Sequence, residues 1–258
     1  MPRILSIAGS DPSGGAGIQA DIKTISALGG YAMSAITALT VQNSLGVTEV
    51  MAVPPELIKA QAKACIDDIG LDGLKLGMLG DETTLKAVAE IIHGSSAFCV
   101  IDTVMMAKGG HRLLATEAVN AFKQLILPRA DLLTPNIPEA ETLCGFEITT
   151  EPHRQAAGEA LLRMGAKAVL LKGGHGEGEH LSDSLFTGSG VFVFRHPRLE
   201  TRHTHGTGCT LASACAVLVA KGVGLEAAVG QAIDYVQKAM ARAPCFGQGH
   251  GPLNHFIY

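Results

Sequence analysis

Apolar residues recur along this chain in two rhythms that take turns. Short, dense apolar runs predict buried strands: RILSIAG (3–9), YAMSAITAL (31–39), LDGLKLGML (71–79), AFCVIDTVM (97–105), DLLTPN (131–136) and KAVLLKGG (167–174). Between them lie segments with apolar positions three and four apart, which predict helices over 16–30, 54–70, 81–94, 116–130, 138–145 and 154–165. Punctuation agrees with these bounds: proline opens the second helix, Asp81 and Gly94 bracket the third, and glycines close the first. Strand–helix alternation implies parallel strands joined by crossover helices, hence one α/β domain over residues 1–258. Residues 182–202 differ in kind. Two alternating apolar runs flank Thr-Gly-Ser-Gly there, which predicts a β-hairpin, and helices follow over 206–222 and 225–243.

Composition narrows the classes of function. With 258 residues and 47% hydrophobic content, the chain can bury a large core. A net charge of −4, 4% aromatics and no tryptophan argue against a general nucleic-acid binder. No apolar run reaches the ~20 residues that a membrane helix needs. The opening MPRILSIAGSDPSGG reads as a first strand and loop, not as a signal peptide, so a cytoplasmic protein is expected. Six scattered cysteines without a Cys-x-x-Cys pair are expected to be reduced and mostly buried.

Chemistry concentrates where predicted strands end. Residues 8–21, AGSDPSGGAGIQAD, form a glycine-rich loop between strand and helix. The dinucleotide fingerprint is ruled out because no acid follows at the required distance, and a P-loop because no Gly-Lys-Ser/Thr follows. A plain tight turn competes with a ligand loop here; Ser10, Asp11 and Asp21 favour a small-ligand pocket. Gln42 and Asn43 in VQNS offer amides suited to a heteroaromatic edge, though turn hydrogen bonds explain them equally well. Asp102 ends one strand, and Glu139 stands in the helical turn opened by Asn136 and Pro138; together they suit Mg²⁺ beside phosphate, whereas either alone reads as a cap. Lys172, at another strand end, is a candidate phosphate clamp. In HTHGTGCT (203–210), Gly206, Thr207, Gly208 and Cys209 open a helix whose free N–H groups could hold a phosphoryl anion. The same field is expected to make Cys209 thiolate-like and a general base; close packing of a small buried residue is the plainer alternative. Zinc at His203-x-His205 is discounted for want of further ligands. The Lys-Gly-Gly run in residues 106–114 predicts a lid.

IAGSDPSGGAGIQADIKT, ITALTVQNSLGV, KLGML, DTVM, TPNIPEAE, LLKGGH, THGTGCTLASA and GHGPLNHF occur in this order across the whole chain. Together they resemble the bacterial hydroxymethylpyrimidine/phosphomethylpyrimidine kinases of thiamine biosynthesis, within the ribokinase-like superfamily. The resemblance implies a three-layer αβα sandwich with a mostly parallel sheet and a small β flap. It implies ATP and Mg²⁺, and phosphorylation of 4-amino-5-hydroxymethyl-2-methylpyrimidine to the monophosphate and then the diphosphate. By the same resemblance Gly9, Asp21, Gln42, Met78 and Val104 hold the pyrimidine, and Gly206–Cys209 form an anion hole with Cys209 as base. Lys172 and Asn136 serve the nucleotide phosphates, and Asp102 and Glu139 the metal. Many sugar kinases of the superfamily carry aspartate where Cys209 stands. Homodimers built through the sheet or flap are implied as well. A pyridoxal kinase and a non-catalytic pyrimidine-binding regulator on the same fold are the rival readings.

Overall fold

The computed structural model describes residues 1–107, 109–173 and 179–257, and among these residues nine strands share one sheet. In chain order they are β1 (Arg3–Ser10), β2 (Tyr31–Asn43), β3 (Gly46–Ala52), β4 (Gly73–Leu76), β5 (Phe98–Ile101), β6 (Leu132–Leu133), β7 (Ala168–Leu171), β8 (His180–Thr187) and β9 (Gly190–Pro197). Side by side the order is β3-β2-β1-β4-β5-β6-β7-β8-β9. The six strands from β2 to β7 are mutually parallel, while β3, β8 and β9 pair antiparallel at the two edges. The first crossover runs from β1 outward to β2, and the chain then returns past β1 to β4. Strand order reverses there, and in such sheets ligands bind at the carboxyl ends beside that reversal.

Helices cover both faces. They are α1 (Gly17–Ala27), α2 (Pro55–Asp68), α3 (Glu82–His93), α4 (Ala118–Ala121), α5 (Ile137–Cys144), α6 (Glu151–Arg163), α7 (Thr207–Ala220) and α8 (Leu225–Ala241). Side chains alternate across each strand, so one set (Leu5, Ile7, Leu74, Leu76, Ile101, Leu171) meets Ile58, Leu85, Leu143 and Leu161 of α2, α3, α5 and α6. The other set (Ile4, Val100, Leu132, Leu170) meets Ile25, Leu211, Val217 and Val229 of α1, α7 and α8. This is the three-layer αβα sandwich expected from the sequence. Helix α7 is buried almost all round, as its run of small apolar residues requires. The Asp81 cap is present: its carboxylate accepts the Thr84 amide at 2.8 Å.

Two expectations need correction. The strand expected to end at residue 39 runs on to Asn43 and turns back as β3, so Gln42 lies within a hairpin and not after a strand. The hairpin stands at the sheet edge with Leu39, Val41 and Met51 exposed, and without a buried face its pattern lacks the usual apolar alternation. The helix expected over 116–130 is also broken. After Ala121 it widens into a π turn (Phe122–Ile126) and tightens into a 3₁₀ turn (Leu127–Arg129) around Pro128, whose ring lacks the N–H that a regular helix needs.

The face towards α1 and α7 carries one polar interruption. Ser6 and Lys75 are register partners on β1 and β4, and Lys75 is fully buried. Its Nζ donates to Asp21 Oδ2 at 2.9 Å. The Ser6 hydroxyl reaches the same oxygen at 2.6 Å, and the Ser213 hydroxyl reaches Asp21 Oδ1 at 2.8 Å. Burial pushes the Asp21 carboxyl up and is opposed by Lys75 and the two hydroxyls. Burial likewise opposes charge on Lys75, but Asp21, Cys209 and Asp102 together outweigh it and raise the ammonium. With three donors on one carboxylate, the ionised pair is the satisfied state.

Breaking this pair strands a buried charge. Lys75→Met is expected to lower unfolding stability by about 3–5 kcal/mol in urea titration, and adding Asp21→Asn to recover a large part of the loss. A Lys75→Met variant as stable as the wild type would show that the pair contributes nothing.

Candidate active site

Three neighbouring strands deliver polar side chains to one line. Asp102 follows β5, its amide bound to Leu76 O at 2.9 Å. Asn136 follows β6 and forms a parallel bridge with Lys172, which follows β7. Lys172 Nζ lies 3.4 Å from Asp102 Oδ1, and Thr134 Oγ1 lies at 3.4 Å from the same oxygen. Glu139 is held twice through Oε2, by the Thr103 hydroxyl at 2.7 Å and by the Asn136 amide at 2.9 Å. Asn136 in turn caps the Glu139 amide at 2.9 Å, completing a reciprocal capping box. Burial raises the Glu139 carboxyl; Lys172 pulls it back and Asp102 adds to the rise. Burial opposes the charge on Lys172, and Asp102 and Glu139 together raise it above its ordinary value.

Opposite this line, Gly206 takes a left-handed conformation (φ 84°) and α7 begins at Thr207. The helix has neither a capping side chain nor an acid in its first turn, so its positive end is uncompensated. Glycine is required at 206 and keeps space open at 208. A Cβ on Gly206 would overlap the Gly15 carbonyl, and one on Gly208 would stand 3.3 Å from Asp102 Oδ2 and 3.6 Å from Lys172 Nζ, filling the gap between turn and cation. The turn therefore presents bare N–H groups to a space flanked by a lysine and two acids.

That space is a cavity of about 700 Å³. Ala16, Gln42, Val104 and His205 line one end; Asp102, Asn136, Glu139, Lys172 and Gly206–Cys209 line the middle; Arg198, Leu199, Ile233, Val236, Gln237 and Met240 line the rest. At the first end His205 Nε2 donates to Asp11 Oδ2 at 2.8 Å. Asp11 also accepts the Ser13 amide (2.9 Å), the Ser13 hydroxyl (2.7 Å) and the Ala16 amide (2.9 Å), so it ties the first glycine loop to the second. Gln42 Nε2 lies 3.4 Å from His205 Nε2, whose N–H already donates to Asp11, while Gln42 Oε1 lies 3.1 Å from the Thr40 hydroxyl, which also reaches the Ser10 carbonyl at 2.9 Å. The Gln42 amide N–H groups thus meet no lone pair on His205 and remain available to an acceptor on a ligand.

Most of the residues named from the sequence converge here: Gln42, Val104, Asp102, Asn136, Glu139, Lys172, Gly206, Thr207, Gly208 and Cys209 share the cavity wall. Gly9, Asp21 and Met78 are not among its lining residues. Asp21 is enclosed with Lys75, and Gly9 packs on Met78, whose Sδ is 3.0 Å from where a Cβ would stand. Gly174 and His175 of the Lys-Gly-Gly-His stretch lie outside the described residues, as does Lys108 of the expected lid. In that segment Met106 bridges to Arg112, and Gly109 packs on Leu45 and Gly46 at the hairpin turn. Sequence reading missed His205 and the Asp183–His196–Gln237 wall. His205 was weighed only as a metal ligand, although its place beside Gly-Thr-Gly-Cys marked it for the same turn.

The thiolate expectation for Cys209 is overturned. Burial pushes its thiol up to about 12, against the lowering effect of Lys75 and of the Gly17 amide, while Asp21 and Asp102 add to the rise. The helix end does not offset this desolvation.

Comparison with known proteins now has a geometry to attach to. A family model described as phosphomethylpyrimidine kinase matches residues 11–254. The hydroxymethylpyrimidine/phosphomethylpyrimidine kinase of Bacillus subtilis is 45% identical over 259 residues, covering 99% of this chain and 95% of that one. The chain belongs to the phosphomethylpyrimidine kinase family. Among solved structures of this ribokinase-like fold, the phosphomethylpyrimidine kinase of Clostridium difficile matches with a TM-score of 0.83 and 38% identity, over 93% of this chain and 99% of that one. A pyridoxal kinase from Staphylococcus aureus, in complex with AMP-PCP and pyridoxal, matches with a TM-score of 0.91 and 30% identity, over 99% and 94%.

A family member with a protonated site thiol has a chemical signature. At pH 7.5, iodoacetamide is expected to label exposed Cys245 and leave Cys209 largely unmodified, with Cys209 labelling rising about tenfold per pH unit above that. Peptide mass spectrometry reads both sites, and faster labelling of Cys209 than of Cys245 at neutral pH would reinstate the thiolate.

Proposed function

We propose that this protein transfers a phosphoryl group from ATP to the hydroxymethyl oxygen of 4-amino-5-hydroxymethyl-2-methylpyrimidine, and then to the monophosphate so formed. One observation carries the reading: an uncapped helix turn, Gly206–Cys209, faces Lys172 in the middle of a cavity with an amide end on one side and a long apolar end on the other. Its family membership supplies the substrate class, since the full-length relative from Bacillus subtilis bears that name. The pyrimidine sits at the Gln42 end beside Val104, with the Gln42 amide donating to a ring nitrogen. Gly9, Asp21 and Met78 then act from behind, by fixing the loop and strand that carry this end.

Phosphoryl transfer needs positioning and charge stabilisation more than covalent help. The hydroxymethyl oxygen attacks the γ-phosphorus as the bond to the leaving ADP oxygen breaks. N–H groups of residues 206–209 bind the equatorial oxygens, and Lys172 with Asn136 holds the phosphate chain. Asp102 and Glu139 fit a hard, oxygen-seeking ion bound chiefly through water, and among the described residues no group of three or more His, Cys, Asp or Glu could hold a metal alone. They would hold Mg²⁺, which supplies neutralisation of the phosphate charge. Cys209 hydrogen-bonds the acceptor hydroxyl, and its thiolate fraction takes the proton as the new bond forms. The rival activity, pyridoxal phosphorylation, rests on the Staphylococcus aureus neighbour at 30% identity.

We read the protein as one cytoplasmic kinase domain that forms homodimers, with exposed Leu39, Val41 and Met51 of the edge hairpin against a second copy. No described helix is long and apolar enough to cross a membrane. Val41→Lys is expected to yield a monomer in sedimentation equilibrium, and an unchanged mass would remove the hairpin from any interface.

Coupled ADP release with Mg-ATP tests the chemistry. Hydroxymethylpyrimidine and its monophosphate are expected to turn over, and pyridoxal poorly or not at all. Cys209→Ala is expected to lose about 10²–10⁴-fold in kcat, the usual worth of a positioned base. Because burial pushes the thiol well above its ordinary value, wild-type kcat/KM is expected to climb through the alkaline range, and Cys209→Asp to flatten that climb. Turnover of pyridoxal alone would move the assignment to the rival activity. A pH profile identical in Cys209→Asp would remove the thiol as base.

A further inference from the structure

The cavity's far end contains a hydrogen-bonded relay that the transfer chemistry leaves unexplained. Asp183 on β8 accepts the Gly173 amide through Oδ1 at 2.7 Å and faces His196 Nε2 through Oδ2 at 3.1 Å. His196 on β9 faces the Gln237 side-chain amide on α8, with Nδ1 and Nε2 2.9 Å apart. The Asp183 carboxylate raises His196 above its ordinary value against burial, and on the neutral ring the proton count sets every direction. A carboxylate only accepts, so Nε2 of the neutral imidazole carries the proton; Nδ1 then offers its lone pair, and Gln237 must donate with its NH₂. With the ring neutral the amide is held with Oε1 on the side away from His196. That oxygen is buried and has no hydrogen-bond partner among the described residues.

A buried acceptor without a donor is a cost that a native site rarely carries without purpose. Its surroundings say what could relieve it. Ile233, Val236 and Met240 stand with Gln237 at helical spacing on one face of α8 and line the same cavity, with Leu199 nearby in the wall. Apolar walls of this kind suit a flat ring, not a sugar hydroxyl that needs further polar partners. The relay begins at Gly173, the residue after Lys172, so it joins the proposed phosphate lysine to this end of the cavity.

We propose that Gln237, held by Asp183 and His196, is the residue that selects the nucleotide base, accepting a hydrogen bond from the exocyclic amine of a 6-aminopurine and opposing the carbonyl of a 6-oxopurine. This rests on the kinase reading, which places the nucleotide at this end. His196 and Asp183 are positioning residues: they make no contact with the base and set which face of the amide it meets. Gln237→Leu removes the acceptor, and His196→Leu frees the amide to turn either way.

Adenine and hypoxanthine nucleotides isolate the question to one ring edge, because they differ at N1 and position 6 and share their ribose and phosphates. Calorimetric binding of ADP and IDP is measured alongside kcat/KM for ATP and ITP. Wild type is expected to favour the amino nucleotide by about tenfold or more, the discrimination of one hydrogen bond gained against one acceptor left facing another. In Gln237→Leu and in His196→Leu that ratio is expected to fall to within about threefold of one. Gln237→Lys, which puts a donor in place of the acceptor, is expected to reverse it. The proposal is overturned by an unchanged ratio in folded Gln237→Leu, or by equal losses for both nucleotides, which would place the amide against the ribose. Failure to bind either nucleotide would overturn it together with the kinase reading. ADP-selective binding without transfer to any acceptor would end the kinase reading alone, and turnover with equal use of ATP and ITP would end this one alone.

Discussion

The ionised contact between Lys75 and Asp21 is the constraint on which the active site's geometry depends. It joins β1 and β4, where the strand order reverses, to α1 and, through Ser213, to α7. Both helices begin in glycine loops that form the cavity wall, so their starting points must be placed to within a fraction of an ångström. An apolar contact would tolerate sliding of α1 or α7 along the sheet. A carboxylate with three donors does not, because each displacement leaves a buried charge short of a partner.

Above that anchor the two loops interlock with almost no room to spare. Gly15 meets Gly206 and His205, and Gly17 meets the Gly9 carbonyl; a Cβ at Gly15, Gly17 or Gly206 would overlap its neighbour. Asp11 closes the contact by accepting a hydrogen bond from His205 Nε2 while holding its own loop through Ser13 and Ala16. The first loop is in this respect structural support for the second. Its acid sets the orientation of His205, and thereby leaves the Gln42 amide free for a ligand.

Charge in the cavity is balanced between elements, not within any one of them. Lys172 is kept cationic by Asp102 and Glu139, and Glu139 is driven towards its neutral form by burial and by Asp102. A phosphate chain entering beside Lys172 would shift that balance, and a cation held by the two acids would restore it. Cys209 belongs to the same arrangement, since enclosure near Asp21 and Asp102 makes it a reluctant thiolate and hence a strong base in small amount.

The sequence by itself determined the strand–helix alternation, the parallel sheet and the polar residues in the middle of the cavity, and its motifs implied the layering. Strand ends such as Asp102, Asn136 and Lys172 were legible because a polar side chain there interrupts a dense apolar run, and parallel strands present their carboxyl ends on one side. The uncapped turn at Gly206 was legible because glycine and threonine without an acid leave a helix start bare. Only the tertiary structure decided the rest. Asp21 looked like a ligand contact until burial beside Lys75 showed it to be an anchor, and local pattern cannot distinguish an acid that faces a cavity from one that faces a lysine 54 residues away. The state of Cys209 depended first on burial, to which Asp21 and Asp102 add, and burial outweighs the helix-end field that sequence reveals. The hairpin β2–β3, half exposed, gave no burial rhythm to read, and the Asp183–His196–Gln237 relay joins three elements that have no common pattern along the chain.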